Sequence, residues 1–367
     1  MTKPFLRIEM MPAKQGDALW IEYGTQESTR RIVIDGGPIG AYEALNEKLK
    51  QLPDGDKGVE LLVISHVDTD HIEGIIRVLA AKREQWPLMP KDIWFNGWNH
   101  LGESKTLGGR EGDFLSALIS KRAPNEWNKA LDGKAIIVEP EKQPPVVELK
   151  DGMKITLLSP SPEKLKEMGD KWRKDVEKYK LEPGDLEAAW EQLVEMKKYR
   201  VVDGVLGGTD DLSEKLTKQL KTDQSLANGT SIAFLSEFEG KSCLFLADAH
   251  TDIICESIKK LIPSGQERLK VDAVKMSHHG SRHNISGDLM KLIDAKHYLV
   301  STDGSIHQHP DKPAIEAVLQ WSVQKPTLWF NYKSKQNAIW AKAPKTGSAS
   351  YTAYYPTEGS EGIVVEL

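Results

Sequence analysis

The chain has 367 residues and a formal net charge of −5, with 39% hydrophobic and 28% charged residues. That is room for one large domain or two ordinary ones around a sizeable core, and it argues against a protein held on long duplex nucleic acid by bulk positive charge. No stretch approaches the roughly 18 apolar residues of a membrane span, the start Met1-Thr2-Lys3-Pro4-Phe5-Leu6 lacks a secretory apolar core, and Cys243 and Cys255 make no disulfide framework, so a cytoplasmic location is expected.

In chain order, Phe5 to Met10, Ala18 to Tyr23 and Arg31 to Asp35 read as strands, broken by Gln15-Gly16-Asp17 and by Gly24 to Thr29. A helix is expected over 41–51, a strand from Val59 to Ile64, a helix over 72–83 and a strand from Asp92 to Asn96. From about Pro160 to Leu226 the chain turns rich in Lys and Glu, with Trp172, Val176 and Tyr179 and then Trp190, Leu193 and Met196 at helical spacing. Such charge-laced faces are usually solvated surface, and the stretch is expected to be a helical insertion. Beyond it, Ser231 to Phe238 and Ser242 to Leu246 flank the hairpin turn Glu239-Gly240-Lys241. Helices near 250–262 and 285–293 alternate with strands at 271–276 and 297–301, and 326–331 and 350–366 close the pattern. Strand-helix alternation places the chain in the α/β class, α+β by some schemes.

The most informative segment is His66-Val67-Asp68-Thr69-Asp70-His71, directly after an apolar strand. Two imidazoles and two carboxylates in six positions suit zinc, manganese or iron. His66 and Asp68 can point at one ion, Asp70 and His71 at a second. The competing reading makes Asp68 or Asp70 a helix N-cap. Seven of the ten histidines fall in or beside three segments, 66–71, 278–283 and 307–309, each following an apolar run. Asp248 follows another and is suited to bridge two ions. Side chains at successive strand ends converge on one sheet edge, where rigid elements fix the ions relative to one another.

The pieces Gln15-Gly16-Asp17-Ala18, Asp35-Gly36-Gly37, the 66–71 segment, Asn228-Gly229-Thr230-Ser231, Ala247-Asp248-Ala249, His278-His279-Gly280-Ser281 and His309-Pro310 occur in that order. Together they resemble a metallo-β-lactamase-fold hydrolase, and within that fold the C-terminal domain of ComEC-type DNA-uptake proteins. The resemblance covers roughly 5–160 and 225–367. It implies one four-layer αββα sandwich spanning 1–367, with 160–226 inserted in it. It implies His66 and Asp68 on one metal, Asp70 and His71 on the other, Asp248 bridging and His309 as the last ligand, with His279 competing for that place. Asn228 stands where many relatives have a further histidine, which leaves the first metal short of a nitrogen. Asp68 stands where the lactamases themselves carry histidine, which argues against a penicillin substrate.

The expected activity is a dinuclear phosphodiesterase or nuclease using a metal-activated hydroxide, with single-stranded nucleic acid or a nucleotide as substrate and no membrane partner. His278, His279 and Asp70 are the expected catalytic residues. The histidine pair would bind a phosphate oxygen or protonate the leaving alkoxide, or be one structural histidine and one ligand. Asn228 and Ser281 are candidate substrate contacts, although a Ser281 hydroxyl capping the next helix is the favoured reading of that residue, and Asp35 would orient a ligand. His100 is expected in a pocket wall beside Trp94 and Trp98, which either stack a base or pack in the core. Two alternatives stand beside this reading: a metallo-hydrolase of a phosphomonoester, lactone or thioester, and a binding module that keeps the fold without turnover.

Overall fold

In the first strand Leu6, Ile8 and Met10 are buried while Arg7 and Glu9 face outward, the period of two that a pleated strand imposes. The computed structural model describes residues 3–53, 55–101, 110–168, 181–182, 184–199, 223, 225–342 and 350–367. In chain order the strands are β1 (Phe5–Met10), β2 (Leu19–Thr25), β3 (Ser28–Ile34), β4 (Gly58–Val59), β5 (Leu61–Val63), β6 (Met89–Pro90), β7 (Ile93–Trp94) and β8 (Val146–Glu148). They continue with β9 (Lys154–Ser159), β10 (Ala233–Phe238), β11 (Lys241–Phe245), β12 (Leu269–Lys275), β13 (Ile293–Val300), β14 (Thr327–Phe330), β15 (Thr352–Tyr354) and β16 (Ile363–Glu366).

Two large sheets result. One has six strands in the order β16-β1-β2-β3-β5-β7, the other eight in the order β15-β14-β13-β12-β11-β10-β9-β8, while β4 and β6 pair separately. Ile21, Ile32 and Leu61 of the first sheet share a core with Ile155, Phe234 and Leu244 of the second, so the sheets pack face to face. Trp20, Val33 and Leu62 point to the opposite side of the first sheet. There they meet helix α1 (Tyr42–Lys50), α2 (Thr69–Ala80) and α3 (Arg110–Arg122). Ile258, Leu289 and Ile315 lie in the first core on helices α5 (Thr251–Leu261), α6 (Gly287–Lys291) and α7 (Lys312–Trp321), covering the second sheet. The molecule is therefore the four-layer αββα sandwich, a mixed α/β architecture.

Helix α2 forms because Ile72, Ile75, Ile76 and Leu79 recur at i, i+3, i+4 and i+7 and are wholly buried. Burying each contributes about 1.5–3 kcal/mol. The helix starts three residues before the expected 72, with Asp68 in extended backbone at its N-cap, so Asp70 and His71 occupy its first turn. Close approach secures it: a Cβ on Gly74 would stand 2.0 Å from Gly36 O, and one on Gly16 would stand 1.7 Å from Asp70 O. Two other expectations need correction. The run Val59 to Ile64 is split between β4 and β5, which belong to different sheets. The helix expected over 285–293 covers only Gly287–Lys291, because Ile293 already pairs with Leu269.

Of the charged stretch, the expected helix around Trp172, Val176 and Tyr179 lies outside the described residues. The next, α4 (Leu186–Glu195), packs on α3 and places Ala189 and Leu193 in the core outside the first sheet. Lys198 and Tyr199 then reach Glu73 on α2, at 2.6 Å and 3.3 Å. Among the described residues no helix is long and apolar enough to cross a membrane.

Candidate metal centre

Parallel pairing puts the C-terminal ends of β3 and β5 on one rim, and those of β11, β12 and β13 likewise. Asp35 and His66 follow the first pair, while Asp248, His279 and Ser301 follow the others. The two rims meet: Ile232 N donates to Ser65 O at 2.9 Å and Ser301 Oγ to Gly16 O at 3.0 Å. The C-terminal edge of parallel strands is where α/β proteins place their sites.

A hydrogen-bond chain fixes the imidazoles. Asp35, nearly wholly buried, accepts from Ser65 N at 2.7 Å, Ser65 Oγ at 2.6 Å and His71 Nδ1 at 2.8 Å. The Ser65 hydroxyl spends its proton on Asp35, so it accepts from His66 Nδ1 at 3.0 Å. His279 Nδ1 donates to Ser301 O at 2.8 Å. Each ring therefore carries a proton on Nδ1 and leaves Nε2 for a second proton or a metal. All three Nε2 atoms are buried without a hydrogen-bond partner, as is Asp248 Oδ1. His71 Nε2 and His279 Nε2 stand 3.6 Å and 3.7 Å from Asp248 Oδ2, His279 Nε2 is 3.8 Å from Asp70 Oδ2, and His66 Nε2 is 3.6 Å from Asp68 Oδ2. Orphaned buried lone pairs are costly unless a proton or a metal takes them. Divalent ions fit this donor set of imidazole nitrogen and carboxylate oxygen.

The electrostatics agree. Burial works against charge on His71, yet Asp248, Asp70 and Asp35 raise its pKa well above the ordinary value. Burial likewise opposes charge on Asp248, and the surrounding imidazoles hold it well below the carboxylate range. His278 goes the same way: burial lowers it, Asp248 and Asp223 outweigh that, and it rises to about 9. Carboxylates that favour protons here favour a cation equally.

The structure thus brings together His66, Asp68, Asp70, His71, Asp248 and His279. It also brings in Asp17, which sequence reasoning passed over: Asp17, His71, Asp248 and His279 each offer a ligand atom, all within 4.8 Å of one another. His309 is placed differently. Its ring packs on that of His278 at 5.3 Å, with His307 beyond it at 5.9 Å, and its Nδ1 is 3.5 Å from Asp311 Oδ2. Asn228 Nδ2 donates to Asp223 Oδ2 at 2.8 Å. Ser281 Oγ accepts from His283 N at 3.2 Å, within its own turn. His100 is engaged at both nitrogens, accepting from Gly97 N at 3.1 Å and meeting Gly133 O at 3.2 Å. Trp94 is fully buried in the core.

Other contributors were also missed. Lys275 was legible as a charge inside an apolar strand, and it pairs with Asp17 at 2.6 Å. Asp223 sits in the charged stretch with no pattern to mark it. Asn284 was equally silent, yet it ties Asp223 to Asp248 O at 2.8 Å and 3.2 Å.

No protein-family model and no curated protein matches the chain. Among solved structures it is similar to the metallo-beta-lactamase fold protein YhfI from Bacillus subtilis, at 11% identity, with 100% of both chains covered and a TM-score of 0.43. It is also similar to a mutant of the CmlA beta-hydroxylase (11% identity, 100% of this chain and 54% of that one, TM-score 0.37). A third is zinc-bound PqqB from Methylobacterium extorquens (11% identity, 95% of this chain and 87% of that one, TM-score 0.37).

Proposed function

We propose that the chain is a metal-dependent hydrolase whose centre takes two divalent ions, zinc in first place and manganese or iron as alternatives. One observation carries this reading: three imidazoles with anchored Nδ1 atoms direct unpartnered Nε2 atoms into a buried carboxylate cluster. His66 and Asp68 would hold one ion, Asp70, His71 and His279 the other, with Asp248 between them. The distances favour His279 over His309 as the last ligand. Asp17 has one oxygen committed to Lys275 and lies 3.5 Å from His279 Nδ1, so we assign it to holding that ring rather than to the metal.

When bound, such ions lower the pKa of water from about 15.7 toward 7 and neutralise charge developing on substrate oxygens. The chain's own groups do the rest. Asp35 and Ser301 keep His71 and His279 in one tautomer. His309 and His307, packed in a row outward from His278, offer N–H donors to non-bridging oxygens. We assign the substrate as a phosphodiester, single-stranded nucleic acid or a nucleotide: water adds to phosphorus, the bond to the leaving oxygen breaks, and a proton goes to that oxygen. Small esters, and binding without turnover, are the competing outcomes.

Metal analysis of the purified chain, with assays on bis-p-nitrophenyl phosphate, single-stranded DNA and a lactone, tests this. Two equivalents of metal and turnover of the diester are expected. Metal with lactone turnover alone moves the substrate class. A chain that neither holds nor responds to divalent ions overturns the reading.

A further inference from the structure

In the assignment proposed above, the two ion sites are unequally furnished. Asp70, His71, His279 and Asp248 supply four donors to one. His66, Asp68 and Asp248 supply three to the other, where a closed tetrahedral set has four. Position 228 offers no nitrogen donor: Asn228 Nδ2 donates to Asp223 at 2.8 Å, and only the amide oxygen Oδ1, buried without a hydrogen-bond partner, is left for an ion.

His278 is arranged as the missing donor would be. Its Nε2 lies 3.7 Å from Asp248 Oδ2, matching His71 at 3.6 Å and His279 at 3.7 Å. Donors about 2.0–2.2 Å from one ion stand about 3.4 Å apart in a tetrahedral set, so these spacings need little adjustment. Its Nδ1 lies 2.9 Å from Asn284 Oδ1 and 3.2 Å from Asp223 Oδ2, with Asn228 Nδ2 at 3.3 Å already donating to Asp223, so a proton sits on Nδ1 and Nε2 is left for a second proton or a metal. Carboxylate to Nδ1 with Nε2 pointed inward repeats the Asp35–His71 design. Asp223 is itself held, accepting from Asn228 and Asn284 at 2.8 Å each.

The backbone explains how adjacent histidines reach one carboxylate. Successive side chains of a strand point to opposite faces. Here His278 (φ 46°) and His279 (φ 55°) are both left-handed, and Gly280 follows at φ 83°. That conformation is uncommon for a residue with a side chain, and two in a row are held only by the surrounding structure. The turn delivers both Nε2 atoms to Asp248.

We propose that His278 is a further metal ligand beside Asp248, oriented by Asp223 and Asn284, in place of a nitrogen donor at position 228. This rests on the metal-centre reading above and changes the part of His278 from proton donor to ligand.

The full chain is stripped of metal and titrated with cobalt(II), bound metal being counted and visible absorption followed. Two equivalents are expected for the unaltered chain. In His278→Gln one equivalent stays tight and the other weakens at least tenfold. In Asp223→Asn, which keeps the ligand and removes its charged partner, the same equivalent weakens less. Circular dichroism of the metal-free forms checks folding. Should His278→Gln not fold, the unaltered chain loaded with cadmium-113 gives the answer: a correlation from cadmium to the His278 ring protons is expected. Two tight equivalents in His278→Gln, or cadmium correlated with His66, His71 and His279 but not His278, overturns the proposal and leaves the metal centre standing. An unaltered chain that takes up fewer than two equivalents overturns both.

Discussion

Lys275 Nζ stands 2.6 Å from Asp17 Oδ2, with the two side chains 1% and 2% exposed. One comes from the last residue of β12 in the second sheet, the other from the turn before β2 in the first. Burial opposes charge on Asp17, and the ammonium outweighs it, holding the carboxyl below its usual range. Lys275→Met strands a buried carboxylate and is expected to destabilise the fold by about 3–5 kcal/mol in urea unfolding. Lys275→Met with Asp17→Asn should recover part of that loss. A single-variant cost under about 1 kcal/mol would contradict the pairing.

Asp35 positions two of the proposed ligands, His66 through Ser65 and His71 directly. Its own backbone is left-handed at φ 58°, a conformation that asparagine tolerates. Asp35→Asn should therefore keep the turn while weakening the grip on both imidazoles. Metal affinity should fall about 10–100-fold by chelator competition, with the metal-free melting temperature changed far less.

Gly74 touches Gly36 where α2 leaves the metal segment. Gly74→Ala sets a methyl against backbone that cannot move aside. Overpacking of this kind costs about 1–3 kcal/mol. Because Asp70 and His71 ride on the same helix, bound metal should drop as well. Full metal content in a folded Gly74→Ala chain would show that the helix is free to shift.

His100 supplies a pH dependence of its own. Burial lowers its pKa from 6.5 to about 4, with the contact to Gly133 O partly offsetting that. The folded pKa is depressed, so the contribution is complete above pH 6.5 and is lost as pH falls through 4, because the unfolded chain takes the proton first. Unfolding measured on metal-free protein should lose on the order of 3 kcal/mol across that window. His100→Gln should lower stability at pH 7 and flatten that slope. An unchanged slope would mean that His100 takes its proton alike in the folded and unfolded chain.

The sequence reading reached the fold because alternation in β1 and the period of α2 are local signals, and both survive packing. It singled out His66, Asp68, Asp70 and His71 because four ligand-capable side chains crowd six positions. His279 and His309 could not be separated that way. Which ring meets Asp248 depends on two left-handed residues at 278 and 279, and no periodicity announces them. Asp17 and Asp223 stayed hidden for a related reason: each matters through a partner more than 50 positions away, Lys275 and His278. The start of α2 was misplaced because Thr69, Asp70 and His71 look like loop until the Gly16 and Gly74 contacts pull them into the helix.

The junction of the two rims has a mechanical side. Asp35, His66 and His71 belong to the layer built early in the chain, Asp248 and His279 to the layer built late. Ions held between them would rivet the covers together at one end, while at the opposite end Tyr23 and Arg30 of the first sheet bond to Lys150 O and Asp151 before β9 at 3.0 Å and 2.7 Å. Stripped of that rivet, the sandwich is expected to gape first along this seam, with amide protons at Ser65, Ile232 and His278 exchanging before those of the central strands.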